Sequence, residues 1–186
     1  AALGERDILV TRDHGYSLLI GPDDLDASRF ETMVAAGRVL MSNDPARASQ
    51  LLSDGLALWR GPAFEEFSYE DFAQAEIVRL EELRSLAVED RIEADLKLGR
   101  SGELISELES LHRAYPTRER LVSQLMLALY RSGRQIDSLA VFRRYRLHLV
   151  EELGVDPSPE LRRLEEQILL HDSRLQARHR GSHSND

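Results

Sequence analysis

From Asp26 onward, apolar residues recur at steps of three and four, the period of one helix face, and short turns containing Gly, Pro or Asn interrupt them. The pattern predicts seven helices, over about 27–41, 45–59, 70–98, 101–114, 118–132, 134–153 and 159–175. Along the third, Leu80, Leu83, Leu86, Ala87 and Ile92 form the stripe expected to be buried. Local signals support these bounds. Asn43-Asp44-Pro45 caps and starts the second helix, Gly61-Pro62 stops it, and Tyr115-Pro116 closes the fourth. Ahead of the last helix, Gly154 permits a sharp helix end, Ser158 is placed as N-cap, Pro159 fits the first turn, and Glu160 faces the positive end of the dipole.

Before Asp26 the period changes. Residues 8–12, ILVTR, and 16–20, YSLLI, are short β-rich runs around Asp13-His14-Gly15, which predicts a hairpin. The chain therefore divides into a hairpin segment at 1–22, a helical domain at 24–175, and a polar tail at 176–186 expected to be disordered. Within the helical part, Leu98–Leu108 aligns with Leu129–Leu139 at an offset of 31, with Arg-Ser-Gly in register, and Leu40–Leu51 is a weaker third copy. Helix, short turn and antiparallel helix repeated in this way predict an all-α, tetratricopeptide (TPR)-like array preceded by a short β-hairpin. The offset falls short of the ~34 residues usual for such repeats.

Four segments also resemble a known family. The run 152–164, ELGVDPSPELRRL, is similar to the C-terminal signature of the bacterial transcriptional activator domain, the helical half of SARP-type regulators. Residues 56–64, LALWRGPAF, resemble its L-x-L-W-R-G-P turn, and 76–83, EIVRLEEL, the start of its long helix. Arg118-Glu119-Arg120-Leu121, Leu125-Met126 and Tyr130-Arg131-Ser132-Gly133-Arg134 resemble its P-x-x-E-R…L-M…L-Y-R-x-G-R run. The hairpin in turn resembles the C-terminal wing of a response-regulator-type winged helix, a DNA-binding domain that such regulators join directly to the activator domain. The resemblance implies a transcriptional regulator whose helical part holds protein contacts: to the adjacent DNA-binding domain, to a second protomer, or to RNA polymerase. DNA binding would then belong to the winged helix, most of which is missing here, with Arg12 the candidate phosphate or minor-groove contact.

Charge changes the picture in one respect. The net charge of −9 over 186 residues, with two arginines against five carboxylates in residues 1–25, disfavours the chain itself as a DNA reader. No cysteine is present and no apolar run reaches the ~20 residues of a membrane helix, which fits a cytoplasmic protein. The six histidines form no zinc pattern, and no nucleophile or phosphate cradle stands out, so no enzyme, metal or cofactor is expected. The carboxylates Glu65, Glu66, Glu70, Asp71 and Glu76 read as favourable charge at a helix start. Trp59, Phe64, Phe67, Tyr69 and Phe72 are expected to anchor the second helix against the third, or to line a partner groove. Arg131, Arg134, Arg143 and Arg146, with Arg144, are the candidate partner-binding face, to be weighed against an ordinary solvated one. The alternative reading is a TPR-like peptide-binding adaptor with no transcriptional role.

Overall fold

The computed structural model describes residues 9–12, 15–18, 21, 25–65 and 69–176, with only the backbone given for 9–18. Strands β1 (Leu9–Arg12) and β2 (Gly15–Leu18) pair antiparallel, with Leu9 opposite Leu18 and Arg12 opposite Gly15. Seven helices follow: α1 (Asp26–Leu40), α2 (Pro45–Leu56), α3 (Asp71–Lys97), α4 (Ser101–Ala114), α5 (Glu119–Arg131), α6 (Gln135–Leu153) and α7 (Pro159–Leu169). Of the tail expected at 176–186, residues 177–186 lie outside the described residues, as does the turn of the ribbon.

The helix boundaries have visible chemical causes. The Asp44 carboxylate accepts the Arg47 N–H at 3.0 Å, and Pro45 begins α2 without losing a hydrogen bond. The Ser158 hydroxyl does the same for α7, accepting from the Leu161 N–H at 3.2 Å. Gly154 ends α6 at φ 68°, the left-handed cap read from the sequence. Two helices are shorter than expected. α2 stops at Leu56, because the chain turns to seat Trp59. α7 stops at Leu169, where His171 takes a φ of 52° and Asp172 starts a 3-10 turn over Ser173–Leu175. Side chains from the α5–α6 corner receive that ending. Gln135 Nε2 donates to the Ile168 carbonyl at 2.8 Å, and Arg131 Nε to the Leu175 carbonyl at 2.6 Å.

The repeat is real, in a different register from the one the sequence suggests. Gly99 and Gly133 hold the left-handed turn positions at φ 83° and 77°, and they are 34 residues apart. α4 and α6 start 34 residues apart as well, at Ser101 and Gln135. Buried pairs follow the same spacing: Ile92 with Met126, Ala94 with Ala128, Leu108 with Phe142. This is the ~34-residue helix-pair period. The Arg-Ser-Gly match at 31 misleads because Gly102 lies inside α4, whereas Gly133 is the turn residue.

Packing runs in sequence order, α1 on α2, α2 on α3, α4 on α5 and α5 on α6, with α7 against α5 and α6. Two apolar cores result. The smaller gathers Phe30, Val34, Leu52 and Ala87, with Trp59 and Leu83 against them. The larger runs from Ile92 and Leu96 through α4, α5 and α6 to Leu161 and Ile168. α3 belongs to both, and Leu80, Ala87 and Ile92 are buried as expected, while Leu83 and Leu86 are half-buried. No described helix is long and apolar enough to cross a membrane.

Candidate partner interface

The turn after α2 is built around Trp59. Its ring meets Phe30 edge-on at 5.4 Å between centroids, and the Arg84 guanidinium lies 4.7 Å from its centre. Arg60 Nη2 donates to Asp26 at 2.7 Å, holding the turn to the start of α1. The Ala63 N–H donates to Glu81 at 2.9 Å, holding it to α3. Between these ties lies an open cleft of about 530 Å³, lined by Phe30, Leu58, Trp59, Pro62, Phe64 and Leu80 among others. Its wall is mixed, with Asp26, Arg60 and Glu65 beside the apolar groups, and Phe64 in it is 46% exposed. Further along the chain Tyr69 is 97% exposed, Phe72 76% and Val78 66%.

The aromatic cluster divides between the two expected roles, packing and groove lining. Trp59 anchors α2 against α1 and α3, but Phe64, Tyr69 and Phe72 stand in solvent; Phe67 lies outside the described residues. Leu80, Leu83 and Ala87 seat α3. Of the nearby carboxylates, Glu65, Glu70 and Asp71 are exposed, and Glu66 lies outside the described residues. Glu76 pairs with Arg79 at 2.6 Å, and that hydrogen bond holds its pKa below the ordinary carboxylate value.

The arginines proposed as one partner face divide by environment. Arg146 Nε reaches Asp156 at 3.2 Å, and Arg134 Nε reaches Asp137 at 2.7 Å. Glu165 of α7 also feels Arg146 and Arg143, although burial is the larger influence and pushes its pKa up. Arg143 and Arg144 are exposed on α6. Arg131 is half-buried instead, with Nη1 on the Leu96 carbonyl at 2.9 Å and Nε on Leu175, so it belongs to the seam between α3, α5 and the 3-10 turn. The Arg12 side chain lies outside the described residues. Among the described residues, no cluster of three or more His, Asp or Glu could hold a metal ion.

One polar arrangement has no counterpart in the sequence reading. Glu89, Asp90 and Asp95 of α3 are buried. Asp90 is bridged by Arg38 of α1 at 2.6 Å and Arg120 of α5 at 2.7 Å. Asp95 accepts from the Ser49 hydroxyl of α2 at 2.7 Å and from Arg100 at 2.8 Å. Arg118 donates to Glu89 at 3.0 Å and also pairs with Glu82. These contacts join the N-terminal helical hairpin to the C-terminal repeat across the gap between the two cores. Glu89, Asp90 and Asp95 interleaved with Ala87, Ile92, Ala94 and Leu96 are the signal that could have shown it.

Comparison with known proteins agrees with this architecture. The chain is 42% identical to the transcriptional regulator RedD of Streptomyces coelicolor, over 85% of its own length and 45% of that protein's. It is 40% identical to the regulatory protein AfsR of Streptomyces griseus, over 91% of its length and 18% of that regulator's. The structure of Mycobacterium tuberculosis EmbR in complex with a low-affinity phosphopeptide superposes with a TM-score of 0.81 and 36% identity, covering 88% of this chain and 44% of that one. The chain thus spans less than half the length of these relatives. Residues 25–169 match the family model of the bacterial transcriptional activator domain, and with the fold and the W-R-G-P turn in place, the chain belongs to that family.

Proposed function

We propose that this chain is the protein-contact module of a bacterial transcriptional regulator, acting by binding rather than by catalysis, in the cytoplasm. The observation that carries the reading is the Trp59 cleft with Phe64 exposed in its wall, followed along the chain by exposed Tyr69 and Val78. A well-packed soluble domain rarely leaves such groups clustered in water without a partner. The cleft faces the start of α1, so the neighbouring N-terminal unit is the first partner it fits, with residues 1–22 as the end of a winged-helix DNA-binding domain. A second protomer and RNA polymerase are the further partners, and exposed Arg143 and Arg144 supply a separate cationic patch for them. Membership of the activator-domain family and the regulator names of the relatives support the same reading.

The test compares this chain with a version extended through a full winged helix, titrated with DNA at low and moderate salt. The extended protein is expected to bind with site preference, and Phe64→Ser with Tyr69→Ser to weaken that binding without lowering the melting temperature. Equal binding by the short chain, with a steep salt slope, would contradict the reading.

A further inference from the structure

A second cleft, separate from the Trp59 turn, lies between α3, α5 and α7. It measures about 370 Å³, and its walls include Glu93, Leu96, Lys97, Gln124, Leu127, Arg131 and Leu164. Its chemistry is unbalanced in two ways. Gln124 is only 5% exposed and donates its amide N–H to the Glu89 carbonyl at 2.8 Å, yet its Oε1 has no hydrogen-bond partner among the described residues. A buried amide oxygen left in this state costs free energy, so an N–H donor entering the cleft would recover it. Arg131 is the second imbalance. Nε and Nη1 are used on backbone carbonyls, and no described carboxylate pairs with its charge. Burial accordingly pulls its pKa below the ordinary guanidinium value, the mark of a cation short of a counter-charge. The other cations in the wall differ. Arg120 is matched by Asp90 and Glu93, and Lys97 by Glu93 at 3.0 Å.

We propose that the α3–α5–α7 cleft is a docking site for an extended acidic peptide from a partner protein. A carboxylate of the peptide reaches Arg131, a backbone N–H donates to Gln124 Oε1, and a flanking aliphatic side chain packs on Leu96, Leu127 and Leu164. The three wall features match the three kinds of group that such a peptide carries together: negative charge, a donor, and an apolar side chain. The site is independent of the Trp59 cleft and does not need that cleft's role to hold.

The probe is a fluorescein-labelled octapeptide, Gly-Ser-Leu-Asp-Glu-Leu-Ser-Gly, read by anisotropy against the whole chain. Its control has Asn-Gln in place of Asp-Glu. The acidic peptide is expected to bind about tenfold or more tightly than the amide control, the scale of a charge-assisted hydrogen bond. Arg131→Gln should remove that preference, and Arg131→Lys should retain part of it. Lys97→Glu, at an exposed position, should weaken binding even if Arg131→Gln proves too unstable to test. Phe64→Ser should leave binding unchanged, which separates this site from the proposed domain contact. Equal binding of the two peptides, no binding of either to protein shown folded by its melt, or unaltered binding by folded Arg131→Gln overturns the proposal.

Discussion

The carboxylate of Glu119, the first residue of α5, accepts the backbone N–H of Ser158 at 3.1 Å, thirty-nine positions further along the chain. The same Oε2 lies 3.5 Å from the Tyr145 hydroxyl, whose pKa is pushed up to about 12 by burial and then by this carboxylate. Two of the segments that resemble the family, the E-R pair and the D-P-S-P turn, thus meet at one hydrogen bond. Glu119→Ala leaves a partly buried donor unsatisfied and is expected to cost about 1–2 kcal/mol, with Glu119→Gln costing less because its amide oxygen can still accept. Guanidinium unfolding followed by circular dichroism measures both, and equal losses would argue against the hydrogen bond as the cause.

Gly37 sets the closeness of α1 and α2. A Cβ built there would lie 2.8 Å from Leu52 Cγ, a side chain that is fully buried and has nowhere to move. Gly37→Ala should therefore destabilise by about 1–3 kcal/mol, against the usual gain in helix propensity from Gly to Ala. A melting temperature equal to or above that of the parent would show that the helices can part cheaply.

Arg120 answers the charge of Asp90 and Glu93 at once. Arg120→Met should cost about 2 kcal/mol, less than the ~3–5 of a fully buried broken pair, because the arginine is partly exposed and Arg38 still answers Asp90. Acid sensitivity gives a second readout. Burial tends to raise the Glu93 pKa, but hydrogen bonds from Arg120 and Lys97 outweigh it and hold the pKa below 4.5. The contribution of Glu93 is present above the unfolded value and is lost as pH falls through the folded one. Arg120→Met should shrink this loss in urea titrations at stepped pH.

His112 behaves in the opposite sense to a histidine that gains a partner. Burial first, then the charges of Arg144 and His148, hold its pKa below the ordinary 6.5, and its Nδ1 has no described partner. Protons therefore bind the unfolded chain more readily, and stability falls as pH drops from 6.5 toward the folded value. Melts between about pH 7.5 and about pH 5.5 should show His112→Gln losing less than the parent. Parallel pH profiles for the two proteins would exclude this histidine as the cause.

Local chemistry was legible in the residues themselves. Seven helices, the Asp44 and Ser158 caps, the Gly154 ending and the family signature depend on neighbours within a few positions, and periodicity and capping rules act on that scale. Tertiary structure decided the rest. The repeat register follows the backbone of Gly99 and Gly133, and identical Arg-Ser-Gly letters cannot report backbone angles. Tyr69 is aromatic in a dense cluster, yet it is 97% exposed, while Leu80, Leu83 and Ala87 fill the α3 contact. Arg131 has the same chemistry as Arg143, but one is half-buried in a seam and the other exposed. Asp90 is an ordinary charged helix residue until α1 and α5 bring Arg38 and Arg120 to it from fifty-two positions before and thirty positions after. Burial and pairing arise between segments distant in sequence, so only the folded chain determines which charges are matched and which remain open to a partner.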